Sequence, residues 1–152
     1  MPRKALRGPR IRALSSRQIE RVLSRNQVGR IAFISGKRIE LQPVNFVYAD
    51  GAIYGRTSHG TKETAWQHSP FVAFEVDEID GPFDWRSVIV HGTVYVLHQR
   101  GSEAERADFQ KAIETVREAF PGAFTNRDRT AYRDVVFRIE PHEVTGREAR
   151  TV

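Results

Sequence analysis

Asp50-Gly51 stands between two runs of alternating apolar residues, 39–48 and 52–56. An Asp-Gly pair tolerates the positive φ angles of a two-residue hairpin turn, so the flanking runs are adjacent antiparallel strands. Parallel strands would need a crossover of a dozen or more residues, and two residues leave no room for one. The centre of the chain is therefore an antiparallel meander.

Further runs at 28–34, 71–77, 85–98 and 135–139 also read as strands. Pro43 lies inside the 39–48 run, which places it at a sheet edge or a bulge, and a bulge is the expectation. Three helices interleave. Ser15-x-x-Gln18 is a capping box that opens a helix over 15–25, with Ile19, Val22 and Leu23 on its apolar face. A short helix over 61–68 is stopped by Pro70. Ser102-x-x-Glu105 caps a third helix, reaching residue 120, whose apolar positions are Ala104, Ala107, Phe109, Ala112, Ile113 and Val116. Residues 78–84 and 121–131 read as loops, and the chain from Pro141 onward as a tail. Six strands in hairpin succession with helices between them imply a mainly β fold: a small antiparallel barrel with peripheral helices. A barrel hides its edges and leaves ligands to its rim or to a subunit interface.

A length of 152 residues suits one domain. The expected division is a basic arm at 1–14, a folded domain at 15–146 and a tail at 147–152. There is no apolar run long enough to span a bilayer, and the basic start has no apolar h-region, so a cytoplasmic protein is expected. Cysteine is absent, which removes disulfides, thiolate metal sites and cysteine nucleophiles together. The net charge is +5, and it resides entirely in the first 20 residues, where six basic side chains face Glu20 alone. Such an arm can hold a polyanion. It carries no interleaved aromatics, and the remainder of the chain is charge-balanced, so nucleic acid is not an expected partner.

The chemistry concentrates in Gly55-Arg-Thr-Ser-His-Gly-Thr-Lys62, a strand end, a sharp turn and a helix start. Backbone N–H groups at a helix N-terminus, hydroxyls and two cations suit a phosphate. The spacing Gly55-x-x-x-x-Gly60-Thr61-Lys62 nearly matches a P-loop, but that motif needs Gly-Lys-Ser/Thr. With the last two residues swapped, their side chains leave the helix about 100° from the required directions. Triphosphate hydrolysis is therefore excluded, and a simpler phosphate site on Arg56, Thr57, Gly60, Thr61 and Lys62 remains. Pro43-Val44-Asn45 can offer backbone to a flat heterocycle beside it. Asn45 either bonds that heterocycle or satisfies the expected bulge. Trp85 either covers a planar ligand or packs in a core or interface. His91 and His98 are seven apart on one strand and no H-E-x-x-H is present, so no metal site is expected. His59, on the same turn, reads as a solvated loop histidine.

Taken in order, Val28-Gly-Arg-Ile-Ala-Phe, Pro43-Val-Asn-Phe, Tyr54-Gly-Arg-Thr-Ser-His-Gly-Thr-Lys62, Phe71-Val-Ala-Phe-Glu-Val-Asp77 and Trp85-Arg-Ser-Val-Ile-Val-His-Gly92 form a set. The set resembles the pyridoxamine 5'-phosphate oxidase-related flavin-nucleotide-binding proteins, near the branch that includes nitroimidazole-resistance reductases. The resemblance covers residues 14–145. It implies a six-stranded antiparallel split β-barrel that forms a homodimer with FMN at the subunit interface. It further implies that Arg56, Thr57, Thr61 and Lys62 hold the FMN phosphate and that Val44 and Asn45 line the isoalloxazine. Trp85, Ser87 and Val88 would approach the flavin, from the partner subunit in the implied dimer. The chain departs from true pyridoxamine phosphate oxidases at Pro141-His-Glu-Val-Thr-Gly146, where their Trp-containing substrate signature is missing. It also has Arg56 where several nitroimidazole reductases align a histidine.

Two functions follow from the resemblance: an FMN-dependent oxidoreductase acting on a small molecule, or a non-catalytic protein that stores or senses a flavin. Related split barrels take a deazaflavin or haem, which are the alternative cofactors. A polyanion binder acting through the basic arm is the third reading. No side chain is marked as catalytic, and a flavin can supply the chemistry itself.

Overall fold

A computed structural model describes Met1 and residues 8–151. The elements run β1 (Arg10–Ala13), α1 (Ser16–Arg25), β2 (Val28–Ser35), β3 (Arg38–Ala49), β4 (Ala52–Thr57), α2 (Thr61–His68), β5 (Phe71–Gly81), β6 (Asp84–Leu97), α3 (Glu103–Ala119) and β7 (Val135–Arg150). All strand pairs are antiparallel. The order β7-β4-β3-β2-β5-β6 closes on itself through a β6–β7 pairing, so six strands make a ring. The expected hairpin turn is present, with Asp50 at φ 50° and Gly51 at φ 75°, and Ala49 pairs with Ala52 across it.

The described strands number seven rather than six, because the arm supplies β1. The last strand also continues from Val135 to Arg150 instead of ending at residue 139. These two differences have one cause. Arg10 to Ala13 pair with Arg150 to Arg147, on the edge of β7 that β6 does not use. In the sequence both segments look like solvated charge. In the fold their charges form a cross-strand ladder, Arg12–Glu148–Arg86–Glu78, over four strands. Arg25 closes its end, with Nε donating to Glu78 at 2.5 Å. Glu148 is buried among three arginines: Arg12 Nε at 2.5 Å, Arg150 Nε at 3.3 Å and Arg86 Nε at 3.5 Å. Burial pushes its carboxyl upward, but Arg12, with Arg150 and Arg86, outweighs burial and holds it below the ordinary carboxylate value.

The ring interior is the main core. Ile31, Phe33, Phe46, Ile53, Phe74, Val88, Val90, Phe137 and Ile139 meet there because alternate residues of each strand face inward. Two helices plug the core. Val22 and Leu23 of α1 and Trp66 of α2 join the cluster, and Trp66 meets Phe137 edge-on with ring centroids 5.2 Å apart. The α1 capping box forms as expected: Ser15 Oγ accepts from the Gln18 N–H at 3.2 Å, and Gln18 Oε1 accepts from the Ser15 N–H at 2.8 Å. A second, smaller core joins α3 to the outer face of the sheet through Ala112, Ile113, Val116, Tyr54 and Val136. Ala104 and Ala107, expected on the apolar face of α3, are exposed. The 78–84 loop is shorter than expected, because β5 and β6 extend into it and leave only Pro82 and Phe83 between them.

Pro43 creates no bulge. The β2–β3 register runs without a shift from Val28↔Asn45 to Ser35↔Arg38. The other solution holds instead: β4 pairs with β3 only from Phe46 to Ala49, so residues 43–45 lie along an open edge.

Candidate functional site

A cavity of about 270 Å³ opens beside that edge, lined by Val28, Pro43, Val44, Asn45, Arg56, Thr57, Ser58, Lys62, Tyr132 and Arg133. Five of the ten residues assigned from sequence meet here: Val44, Asn45, Arg56, Thr57 and Lys62. β4 carries Arg56 and Thr57 to its floor. Gly55 permits this approach, since a Cβ there would sit 2.5 Å from the Phe137 ring and 3.0 Å from the Asn45 carbonyl oxygen. The chain then reverses through Gly60, at φ 147°, which favours glycine. Gly60 is the N-cap of α2, with no side-chain cap.

Lys62 turns back into the cavity, and its Nζ donates to Thr57 Oγ1 at 3.1 Å. Burial pushes the ammonium below its ordinary value, and the nearby Arg133 adds to that shift. Arg133 is the residue that sequence reasoning missed. Its Nη1 donates to Asn45 Oδ1 at 3.0 Å. Among the described residues, neither Lys62 nor Arg133 is paired with a carboxylate. Two neighbouring cations that disfavour one another and share a cavity are stabilised by an anion between them.

Arg56 plays a different part from the one the sequence implied. Its guanidinium forks onto Asp128 at 2.5 and 3.1 Å and donates to Thr130 Oγ1 at 2.8 Å. It also lies over the Phe124 ring, 4.9 Å from the centroid. Asp128 is fully engaged in return, accepting from the backbone N–H groups of Phe124 and Thr130, both at 2.9 Å. The hydrogen bonds from Arg56 hold its carboxyl far below the ordinary range, against the upward push of burial. Arg56 thus anchors the segment between α3 and β7 to the cavity floor, with its charge already balanced.

Asn45 is satisfied within the chain, since its amide also donates to the Gln27 carbonyl at 3.3 Å. Thr61 does not face this cavity; its side chain lines a separate groove with Ile34, Ser35 and His68. His59 is exposed and sits between Glu63 at 2.8 Å and Asp134 at 3.2 Å. Trp85, Ser87 and Val88 lie elsewhere in the same chain. Trp85 lines a recess with Asp84, Arg86 and Glu148. Ser87 Oγ donates to Glu75 at 3.1 Å. Val88 is wholly buried, because strand alternation turns it inward with Val90, and its backbone is paired on both sides with Val76 and Gly146. Its side chain cannot reach a ligand.

Among the described residues, no helix is long and apolar enough to cross a membrane. The family model described as pyridoxamine 5'-phosphate oxidase matches residues 15–148. No curated protein matches the chain. A FAD-binding protein from Mesorhizobium loti is 28% identical, with 92% of this chain and 99% of that chain covered and a TM-score of 0.72. The FAD binding protein from Mycobacterium smegmatis is 25% identical, with 91% of this chain and 98% of that chain covered and a TM-score of 0.60. The heme storage protein HutZ from Vibrio cholerae shares the fold at 14% identity, with 85% and 92% covered and a TM-score of 0.66. The closed antiparallel ring, the ordered motifs and the family match over most of the chain agree: the protein belongs to the pyridoxamine 5'-phosphate oxidase family of flavin-binding-type split barrels.

Proposed function

We propose that the chain binds a flavin nucleotide, FMN, and acts as a flavin-dependent oxidoreductase on a small molecule. The observation that carries this reading is the pairing of Lys62 with Arg133 in one cavity without a carboxylate. A phosphate there would accept from Lys62 Nζ, from the free N–H groups of Arg133 and from the Thr57 hydroxyl. The open edge at 43–45 offers unpaired backbone to the polar rim of the ring system. The two FAD-binding relatives support a flavin, with the phosphate-bearing part common to FMN and FAD.

A cavity of about 270 Å³ covers less than a drug-sized ligand, for which pockets of roughly 300–1,000 Å³ are usual. A second copy of the chain completes it in this reading. Val28, Ile34, Ile39 and Leu41 form an exposed apolar stripe that runs from the cavity mouth along β2 and β3; Ile39 is 81% exposed and Leu41 66%. Covering that stripe in a homodimer removes it from water. Trp85 and Ser87 would reach the flavin only from the partner.

A bound flavin supplies reversible electron and hydride transfer. The residues of this chain bind and orient it: Lys62 and Arg133 neutralise the phosphate, Arg56 and Asp128 fix the wall, and Pro43 leaves the edge open. Among the described residues, the cavity holds only the Lys62 ammonium and the Tyr132 phenol as candidate proton donors, and no carboxylate or histidine, so a storage role is the second reading. Turnover separates the two. The flavin-loaded protein is expected to oxidise a reduced nicotinamide in the presence of an electron acceptor. Flavin binding without turnover across a broad acceptor panel would establish storage instead.

A further inference from the structure

The geometry points to a second small-molecule site, between α3 and the outer face of β3 and β4, that takes a single-ring aromatic carboxylate. A cavity of about 230 Å³ lies there, more enclosed than the first. Val47, Tyr54, Val116 and Phe120 form its apolar walls. Its other end is polar and meets the first cavity at a shared wall of Asn45, Arg56 and Arg133.

Size sets the first limit. A dry apolar cavity of about 150 Å³ accommodates benzene, so this one has room for one ring and a small substituent. The rings of Tyr54 and Phe120 favour an aromatic occupant.

Charge sets the second limit. Arg56 is neutralised by Asp128, whereas Arg133 donates only to the neutral amide of Asn45. A wholly apolar ligand leaves Arg133 without a counter-charge, and a cation is repelled by it. A carboxylate accepts two parallel N–H groups from a guanidinium and matches this end of the cavity. The cavity exists without a flavin in the first, but Arg133 borders both, so a flavin phosphate and this carboxylate compete for it and the site is tested on flavin-free protein.

The test is a titration of the protein, carrying labelled methyl groups, with sodium benzoate. Benzyl alcohol keeps the ring without the charge, and acetate keeps the charge without the ring. Saturable shifts at the Val47 and Val116 methyls are expected with benzoate, and each comparison ligand is expected to bind about tenfold or more weakly. Val116→Phe fills the cavity and is expected to abolish the benzoate shifts. Should that variant fail to fold, Arg133→Met is expected to reduce benzoate to the level of benzyl alcohol. Lys62→Ala, whose charge lies in the first cavity, is expected to weaken benzoate less than Arg133→Met does. The site is refuted by an absence of saturable shifts, by equal binding of benzoate and acetate, or by benzoate shifts confined to Thr57. A protein that binds no flavin but shows the expected methyl shifts would refute only the first cavity's assignment.

Discussion

Arg56 and Asp128 hold one another at 2.5 and 3.1 Å, both largely out of water, and so join the end of β4 to the segment that follows α3. The residue that looks most like a phosphate ligand in the sequence is thereby a structural anchor. The cations left for an anion are Lys62, from the same turn, and Arg133, carried in by the anchored segment.

Asp128→Ala leaves Arg56 buried without its counter-charge and is expected to cost about 3 kcal/mol of stability, read as a lower midpoint in urea unfolding. The pH dependence has a fixed sign. The folded-state carboxyl titrates far below the ordinary value, so its stabilisation is complete above the ordinary carboxylate pKa and fades as pH falls below it. The stability gap between wild type and Asp128→Asn is therefore expected to narrow between about pH 5 and about pH 2. A gap that widens on acidification would contradict this pairing.

Lys62→Ala is expected to weaken FMN by ~1–3 kcal/mol, the scale of a hydrogen bond to a charged group, and Arg133→Ala by a similar amount. Fluorescence titration with FMN reads both. Because burial and Arg133 lower the Lys62 pKa, the free protein loses that proton earlier than an ordinary lysine. FMN affinity is expected to fall as pH rises through that lowered value, and Lys62→Ala to abolish that part of the pH dependence. Unchanged affinity in both variants would move the phosphate elsewhere.

Glu148→Gln removes the carboxylate that Arg12, Arg86 and Arg150 share, leaving Arg86 with Glu78. Arg12 and Arg150 are more than half exposed, so water screens part of their repulsion, and a loss of about 1–2 kcal/mol is expected. The melting temperature reads it. The same variant is expected to loosen β1 first, seen as faster amide exchange at Ile11 and Ala13.

Leu41→Arg places a charge in the exposed stripe on β3 without touching the core. Sedimentation is expected to show a monomer, with weakened flavin retention. A dimer of unaltered mass would place the subunit contact on another face.

The parts of this fold that were legible in the sequence are those fixed by local chemistry. Asp50-Gly51 set a hairpin, the Ser15 and Gln18 pair set a helix start, and alternation set six strands that do close a ring. What was missed depends on partners distant in the chain. Glu148 reads as solvated charge until β1 and β6 bring arginines to it from both sides. Arg133 carries no local mark of a ligand and reaches the cavity because Asp128 ties its segment to Arg56. Asp128 itself left one trace, an Asp followed two residues later by Thr130, the pattern of a side chain capping its own turn. Pro43 was correctly restricted to two solutions, and only the span of the β3–β4 pairing selects the open edge.

The most direct test is the absorption spectrum of the purified protein, with the cofactor released on denaturation identified by mass. Flavin bands and released FMN are expected. A colourless protein that cannot be reconstituted with FMN or FAD would contradict a flavin held by Lys62 and Arg133.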